Sequence, residues 1–313
     1  MIGNKINHSK IYKKNRKAEL IFYLSIVTIP VIQFCIFYVG VNFNSFRLAF
    51  SQFDSESYSY YFIGFKNFNE IIMMLKSEGS VLLYATKNSL IVYLANLIIG
   101  TPLALFFSFY IYKKMQMHKI FQVILFLPSI ISNIVLVLIF KYSVNYALPE
   151  FISKIFHHNI DGLLSLTSVK THLPAIIFFG VLFSFGTNVL LYSGAMSKIS
   201  PEIVESAELD GATHFKEFFY ITLPQIYPTL STFILVGVAG IFVNQASLFS
   251  FFGEGAEYST YTTGYYIFKN VLSSQATNSD YCHLSAVGLF FSAFVVPFSL
   301  LLRWILNKMD PNN

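Results

Sequence analysis

Apolar segments long enough to cross a lipid bilayer recur along this chain, and they limit its fold more than any other feature. A helix needs roughly 20 apolar residues to cross about 30 Å of hydrocarbon. Hydrophobic residues make up 55% of the 313 residues and charged residues only 12%, whereas a soluble domain carries about 25% charged residues. Because backbone polar groups must pair internally in lipid, the sequence predicts an all-α, polytopic membrane protein. We expect six transmembrane helices, at 20–41, 88–112, 120–140, 173–192, 228–252 and 284–306.

Basic residues predict how the chain sits in the membrane. Residues 1–19 form a basic tail, and the apolar segment after it lies far from the start and lacks a small-residue cleavage site, so we expect a retained span rather than a signal peptide. Thirteen of the 21 lysines and arginines lie in this tail, in 113–119, in 194–227 or at the C-terminal end. Cytoplasmic loops are enriched in lysine and arginine, so both termini are predicted to be cytoplasmic. This topology and contact with anionic membrane lipid explain the net charge of +5, and we expect no nucleic-acid partner.

The segment 42–87, after the first predicted span, is too polar to cross the membrane. It carries eight aromatic residues between Phe50 and Phe68. Aromatic side chains are enriched where a bilayer meets water. We therefore expect this segment to form short interfacial helices on the outer surface.

A charged stretch, 200–224, separates the fourth and fifth predicted spans and is too long for a simple connection. Ser200 is a favourable N-cap residue and Pro201 suits a first helical turn. Glu205 lies near the start of the same helix, where the helix dipole favours an anion. Gly211 is expected to end this first helix.

A second helix is predicted at 214–221, ending at Leu223–Pro224. Its apolar face is expected to hold the unit on the membrane bundle, through Phe215, Phe218, Phe219 and Thr222. One interpretation of the two helices is a pair that lies on the lipid surface. Interfacial anchors typically carry lysine on their polar face, whereas the first helix is acidic, so a docking surface for a protein partner is favoured.

Residues of this stretch resemble the EAA motif of the permease subunits of ATP-binding-cassette (ABC) importers. The matching residues are Glu205, Ser206, Ala207, Asp210, Gly211, Ile221, Leu223 and Pro224. The resemblance implies coupling helices at 200–223 that sit in a groove of a cytoplasmic ATPase subunit. It places Glu205 against the ATPase and Gly211 at the sharp turn between the helices. Ser206 stands where the family usually has alanine, and it adds a hydroxyl group with little added volume.

Further segments are similar to the carbohydrate-type permeases, the group that contains the maltose and glycerol-phosphate importers. They are 62–68, 87–90, 186–210 and 253–266. The resemblance covers roughly 20–310 and implies one six-span domain with the type I ABC importer permease architecture, in a bacterial plasma membrane. It also implies a sugar or oligosaccharide as the solute, delivered by an extracellular solute-binding protein and moved by alternating access.

The resemblance further implies the partners of the chain: a second homologous permease subunit, two cytoplasmic ATPase subunits and the solute-binding protein. The chain has no Gly-x-x-x-x-Gly-Lys-Ser/Thr phosphate loop. ATP and Mg²⁺ are therefore expected on the ATPase subunits, with no cofactor in this chain. We find no catalytic set and no metal ligands at ligand spacing, and no chain of intramembrane acidic or lysine residues typical of an ion-coupled carrier. A transport subunit rather than an enzyme is predicted.

Polar residues within the last three predicted spans are candidates for lining a solute pathway. A buried sugar needs hydrogen-bonding side chains, because unpaired hydroxyl groups destabilise the bound state. Asn, Gln and Ser in membrane helices also bond neighbouring helices, which is the alternative for each residue. The candidates are Ser184, Asn188, Asn244, Gln245 and Ser292.

Two other functions remain open from the residues alone. A permease for a non-sugar solute, such as a glycerophosphodiester or a polyamine, would be distinguished by the ligand of its receptor. A stand-alone channel or membrane scaffold would keep its function when any ATPase is removed.

Overall fold

The computed structural model describes residues 8–156, 166, 168–273 and 277–311, and most of this part of the chain is helical. A two-stranded antiparallel hairpin, β1 (Ser51–Asp54) and β2 (Ser59–Phe62), lies between the first two helices. The helices are α1 (8–49), α2 (Lys66–Lys76), α3 (Val81–Tyr112), α4 (His118–Ile130), α5 (133–156), α6 (Val169–Met196), α7 (Pro201–Leu209), α8 (His214–Gln225), α9 (Tyr227–Gly240), α10 (Leu248–Phe252), α11 (Thr263–Leu272) and α12 (Asn278–Lys308).

Within the described residues, five helices are long and apolar enough to cross a membrane. They lie in α1, α3, α5, α6 and α12. The pair α8 and α9 passes the same test together but bends by 69° between its two parts. The count is therefore five spans, or six if this bent pair is one broken span.

The predicted span 120–140 falls on two helices, because α4 ends at Ile130 and α5 starts at Asn133. Pro128 lies in the last turn of α4, and proline removes a helical hydrogen bond and clashes with the preceding turn. Ile131 is extended, with ψ of 140°. The Asn133 amide then donates to the hydroxyls of Ser247 and Ser250 at 3.3 and 3.2 Å, which ties the start of α5 to the region of α10.

The predicted span 228–252 is also interrupted, since α9 ends at Gly240 and α10 begins at Leu248. Ala246 and Ser247 have positive φ angles of 49° and 58°, a conformation that costs roughly 1–2 kcal/mol for a residue other than glycine. Side-chain bonds stabilise this break. The Asn244 side-chain oxygen accepts from the Ala246 N–H at 2.8 Å, and the Thr262 hydroxyl donates to the Asn244 carbonyl at 2.9 Å.

Gly264, the second residue of α11, packs directly on this break. A Cβ atom at Gly264 would lie 2.3 Å from the Val243 carbonyl oxygen, so only glycine allows this approach without a shift of the backbone. The break between α9 and α10 is therefore held from both sides, by its own side-chain bonds and by α11.

The outer segment differs from the expected short helices between residues 51 and 62, where it forms the β1–β2 hairpin. The turn is closed by Asp54, whose carboxylate accepts from the Glu56 N–H and the Ser57 hydroxyl; such Asx turns compete with helix formation. The helix α2 follows, as expected for this segment. The buried Asn67 amide donates to the carbonyls of Ala49 and Ser51 at 2.9 and 3.0 Å, and so holds the hairpin on the end of α1.

The helices pack through α3 and α6 at the centre of the described structure. The Ser108 hydroxyl of α3 donates to the Val189 carbonyl of α6 at 3.0 Å. In the first half of α3, the Asn88 amide donates to the carbonyls of Ser259 and Tyr261 at 2.7 and 2.9 Å. By contrast, an 18-residue apolar window of α1 has no residue buried against the described chain.

Candidate coupling surface and translocation cavity

The candidate coupling surface consists of α7, α8 and the turn between them. α7 starts with Pro201 in its first turn and ends at Leu209, and Ser200 at its N-cap makes no side-chain capping bond. Gly211 has φ of +75°, a conformation that glycine adopts without steric cost. The Ala212 N–H donates to the Ala207 carbonyl at 2.9 Å, which closes the turn. The structure thus has the helix end and the sharp turn expected at Gly211.

The motif residues on α7 present a polar face to solvent. Glu205, Ser206 and Asp210 are exposed, while Ala207 is half-buried. The Ser206 hydroxyl donates to the Glu202 carbonyl of its own helix at 2.7 Å. The extra hydroxyl relative to alanine is therefore satisfied within α7 and leaves the helix surface free to pack against a partner.

Only part of the predicted apolar face of α8 is buried. Phe218 and Thr222 are buried, whereas Phe215 is 71% exposed and Phe219 is half-exposed. A π-helical turn covers Phe218–Thr222, and Phe215 lies before it, in the first turn of α8. Glu217, which the sequence pattern does not place on that face, is only 1% exposed.

The second part of the motif connects α8 to α9. Ile221, Leu223 and Pro224 are half-buried, and Leu223 packs against the apolar cluster between α3 and α6. α8 runs one residue past Pro224, and the chain bends at Ile226 rather than at the expected Leu223–Pro224. Pro224 occupies a first-turn position of the last helical segment, where the missing N–H is tolerated.

An ion-pair network joins the coupling surface to the end of α3. The Lys113 Nζ atom lies 2.9 Å from Glu208 Oε1 and 3.0 Å from Glu217 Oε2. His214 Nδ1 lies 3.7 Å from the same Glu217 oxygen. Lys113 therefore contacts both helices of the coupling surface, through Glu208 on α7 and Glu217 on α8.

Two pKa values in this network are shifted. Burial acts to lower the pKa of Lys113, but the hydrogen bonds to Glu208 and Glu217 outweigh it and raise the pKa above 10.5. The hydrogen bond from Lys113 lowers the pKa of Glu208 below 4.5. Both groups are therefore charged at neutral pH.

Aromatic contacts extend this junction along α3. The Phe218 ring stacks on Phe106 and meets Phe109 edge to face, each at a centroid distance of 5.1 Å. Phe106, Phe109 and Lys113 follow the i, i+3, i+7 spacing of one helix face. The coupling surface is thus packed on a single face of α3.

A central cavity of about 380 Å³ lies farther along α3. Its lining contains side-chain amide groups, hydroxyl groups and aromatic rings. The lining includes Ser89, Tyr93, Asn96, Thr101, Phe185, Asn188, Tyr192, Phe233, Asn244 and Thr262.

An adjoining cavity of about 300 Å³ shares Val92, Asn96 and Asn244 with the central cavity. Its other polar lining residues are Ser129, Asn133, Thr187 and Ser247. Among the described residues, neither lining contains a charged side chain. The two cavities therefore form a neutral, polar and aromatic region between the helices.

The structure brings some predicted pathway residues together and separates others. Asn188 and Asn244 line the central cavity. Gln245 lies in the break after α9 but lines neither cavity. Ser292 lies in a different pocket, between α1 and α12, and its hydroxyl donates to the Gly288 carbonyl at 2.8 Å. Ser184 is part of α6, but its side chain lies outside the described residues.

Asn96 and Tyr93 line the central cavity although they are absent from the predicted pathway set. The Asn96 amide N–H donates to the Val92 carbonyl at 3.1 Å, which leaves its oxygen available to a solute. Their i, i+3 spacing in the second predicted span was a usable signal, since it puts both side chains on one helix face.

One known protein family matches most of the chain. Residues 96–312 match the family described as binding-protein-dependent transport system inner membrane component. This range includes α7, α8 and most of the lining of both cavities.

Individual relatives agree with this match. A probable ABC transporter permease protein of Mycoplasma pneumoniae is 30% identical over 248 residues, which are 77% of this chain and 71% of that protein. A multiple sugar-binding transport system permease protein of Streptococcus mutans is 22% identical, over 87% of this chain and 91% of that protein. A diacetylchitobiose uptake system permease protein of Streptomyces coelicolor is 24% identical, over 92% and 82%.

The fold has a close counterpart among solved structures. A chain of a bacterial ABC transporter involved in the import of the acidic polysaccharide alginate superposes with a TM-score of 0.75 and 23% identity, over 96% of this chain and 99% of that one. A second structure, of a bacterial alginate ABC transporter in complex with an alginate pentasaccharide-bound periplasmic protein, gives 0.74 and 23%, over 95% and 98%. The predicted all-α membrane fold with the architecture of an ABC importer permease is confirmed.

Proposed function

The chain belongs to the family of inner membrane components of binding-protein-dependent transport systems, and we propose that the solute it transports is a neutral sugar or oligosaccharide. It is a multi-pass transport subunit of an ABC importer. The observation that carries the proposal is the wall of the two cavities, where amides and aromatic rings occur without a charged side chain among the described residues.

A neutral polyol fits this wall better than a charged solute does. Sugar hydroxyls both donate and accept hydrogen bonds, and Asn96, Asn188 and Asn244 offer both kinds of group. The rings of Tyr93 and Phe233 supply apolar faces for the C–H side of a sugar. A polyamine or a glycerophosphodiester would enter the same wall without a counter-charge, and desolvating an unpaired charge is costly.

The coupling surface supports a cytoplasmic ATPase as partner. α7 exposes Glu202 and Glu205, and two apolar side chains of the coupling surface are also exposed, Leu209 of α7 at 89% and Phe215 of α8 at 71%. Exposed apolar groups within a polar rim are typical of a protein interface. The proposal has two ATPase subunits that hold ATP and Mg²⁺, one of them against this surface, with this end of the molecule and both chain termini in the cytoplasm.

The remaining proposed partners are a second homologous permease and an extracellular solute-binding protein. The uncovered apolar window of α1 provides surface for a second membrane subunit. The relatives that are 22% and 24% identical are named as permeases of a multiple sugar-binding system and a diacetylchitobiose uptake system, which agrees with a receptor-delivered sugar. Transport would proceed by alternating access, with ATPase closure moving α7 and α8.

The test is uptake by the reconstituted complex of both permeases, the ATPase and the co-encoded receptor. The receptor is first titrated calorimetrically with a panel of neutral oligosaccharides, a glycerophosphodiester and a polyamine. We expect binding of an oligosaccharide, followed by ATP-dependent uptake of the radiolabelled sugar into proteoliposomes. A receptor selective for the charged compounds, or uptake that persists without the ATPase subunits, would overturn the proposal.

A further inference from the structure

Lys113 occupies a position that connects the two parts of the candidate site. It lies at the end of α3, is 13% exposed, and contacts Glu208 on α7 and Glu217 on α8. We propose that Lys113 is a positioning residue that makes α3 the helix through which motion of the coupling surface reaches the central cavity. The proposal rests on the proposed function, because it requires an ATPase that moves α7.

The charges around Lys113 explain why this contact is strong. Glu217 is only 1% exposed, and neither of its carboxylate oxygens has a hydrogen bond of good geometry among the described residues, so the Lys113 ammonium, 3.0 Å from Oε2, is its main compensating charge. A buried carboxylate depends on its counter-ion far more than an exposed one does. Separation of α8 from α3 would leave that carboxylate without Lys113, so the two helices are expected to move together. Lys114, the next residue, has a left-handed backbone with φ of 50°, so the chain turns away directly after the contact.

The aromatic face of α3 makes the contact wide enough to transmit a displacement. Phe106 and Phe109 pack against Phe218 within two turns of Lys113. The ion pair and the ring contacts lie on the same face of α3. A rotation or shift of α8 would therefore displace α3 through several contacts at once.

The same helix carries part of the wall of the central cavity. Tyr93, Asn96 and Thr101 lie on α3 and line the cavity. A π-helical turn at Asn96–Gly100 separates Tyr93 from Lys113, with Asn96 inside the turn and Thr101 directly after it, and such turns are places where a helix can change its register. The Thr101 hydroxyl donates to the Asn96 carbonyl across this turn at 3.3 Å. A displacement at Lys113 can therefore reorient Asn96 without unfolding α3.

The alternative route runs through the covalent connection from α8 to α9. That connection bends by 69° at Ile226, and the far end of α9 leads into the break at residues 241–247. A bent, interrupted element transmits an axial push less directly than the continuous helix α3 does. The geometry therefore favours α3.

The experiment measures access to the central cavity in the full complex with its receptor, in proteoliposomes. Asn96→Cys is introduced after Cys35→Ser and Cys282→Ser, and labelling by a water-soluble methanethiosulfonate is followed with and without a non-hydrolysable ATP analogue. In this parent we expect nucleotide to change the labelling rate about fivefold or more, as for a typical allosteric coupling. The added pair K113M/E217Q removes both buried charges together and so avoids an unpaired carboxylate, and K113R is the conservative control.

We expect the nucleotide effect on labelling to fall below about twofold in K113M/E217Q and to persist in K113R, with ATPase co-purification retained in both. If the ion pair only stabilises the fold, K113M/E217Q would have a lower melting temperature but would keep the nucleotide effect on labelling. That result would overturn the proposal. The charge swap K113E/E217K is the second variant if the neutral pair does not assemble, and a swap that responds no better than K113E alone also overturns it. If the parent protein binds no ATPase, the proposed function itself is wrong. This outcome distinguishes failure of the proposed function from failure of the proposal for Lys113.

Discussion

At Asn188, an effect on solute binding can be measured with little effect on the stability of the fold. Its side chain is half-buried and makes no hydrogen bond to the described protein, yet it lines the central cavity. We predict that Asn188→Ala raises the solute concentration for half-maximal uptake about fivefold, because one lost hydrogen bond to a neutral group is worth about 1 kcal/mol. The melting temperature should stay unchanged. Uptake kinetics and a thermal melt of the same preparation check both parts.

Asn88 provides the matched control, since it is a buried asparagine with a structural role. Its amide donates to two backbone carbonyls, those of Ser259 and Tyr261. Asn88→Ala leaves both carbonyls unpaired and should lower the free energy of unfolding by about 1–3 kcal/mol. If Asn188→Ala lowers the melting temperature as much as Asn88→Ala does, Asn188 is a packing residue and the solute contact is excluded.

The Lys113 network is predicted to hold throughout the neutral pH range. Despite burial, which acts to lower it, the pKa of Lys113 is raised by its glutamate partners, so its stabilisation is present below pH 10.5 and is lost only as pH rises through the higher folded-state value. The pKa of Glu208 is lowered by Lys113, so its stabilisation is present above pH 4.5 and is lost as pH falls through the lower folded-state value. Amide exchange of α7, corrected for the intrinsic rate, should therefore report a constant opening free energy between about pH 6 and 9. A change within that window contradicts the network.

Individual residues could be predicted from the sequence where their role depends on neighbouring residues in the chain. Residues whose role depends on partners far away in the sequence could not. Gly211 was predictable because helix termination needs only its own backbone. Lys113 and Glu208 lie 95 positions apart, and no periodicity marks their pairing. Glu217 stands among charged neighbours and reads as an exposed residue, although α3 buries it.

The break between α9 and α10 is the element whose integrity is easiest to test. Gly264→Ala would place a Cβ 2.3 Å from the Val243 carbonyl oxygen, so either α11 or the break must move. We predict a loss of about 1–3 kcal/mol in the free energy of unfolding, as for other overpacked sites, together with reduced uptake because Asn244 is displaced. Thermal melts and proteoliposome uptake measure the two effects.

Gly194→Ala in α6 is the control for this substitution. Nothing lies within 4 Å of a Cβ at Gly194, and alanine in a helix interior is favoured over glycine by about 0.5–1 kcal/mol. It should leave stability equal or slightly higher. Equal behaviour of the two variants would show that the close approach at Gly264 is not required.

Hydropathy located the membrane helices but not their interruptions. It placed apolar segments within α1, α3, α6 and α12, because the composition of a segment decides whether it enters lipid. It read 120–140 and 228–252 as continuous, since a mean hydropathy does not register a proline near a helix end or an asparagine that pairs with backbone. The hairpin at 51–62 was missed for a similar reason: Asp54 closes a turn through local bonds that a compositional count overlooks.

The assembly as a whole is tested most directly at Glu205, which is exposed on α7. Reversal of its charge should weaken docking, because like or unpaired charges at an interface centre are strongly unfavourable. We predict that Glu205→Lys abolishes co-purification of the ATPase while membrane expression is retained. Glu78→Lys is the control and should leave co-purification intact, because Glu78 is an exposed glutamate just before the start of α3, whereas the coupling surface contacts the other end of that helix. Loss in both variants would point to misfolding rather than to a docking surface.

The uncovered window of α1 also bears on how the cell handles this subunit. The apolar helix Lys17–Ala49 is 33 residues long, with no residue of its most apolar window buried by the described chain. Lipid solvates such a helix but gives it little to hold its orientation. If the proposed pairing with a second permease holds, we expect a copy made without that subunit to be recognised by membrane quality-control proteases. The ratio at which the two permeases are translated would then set how many complete importers the membrane contains.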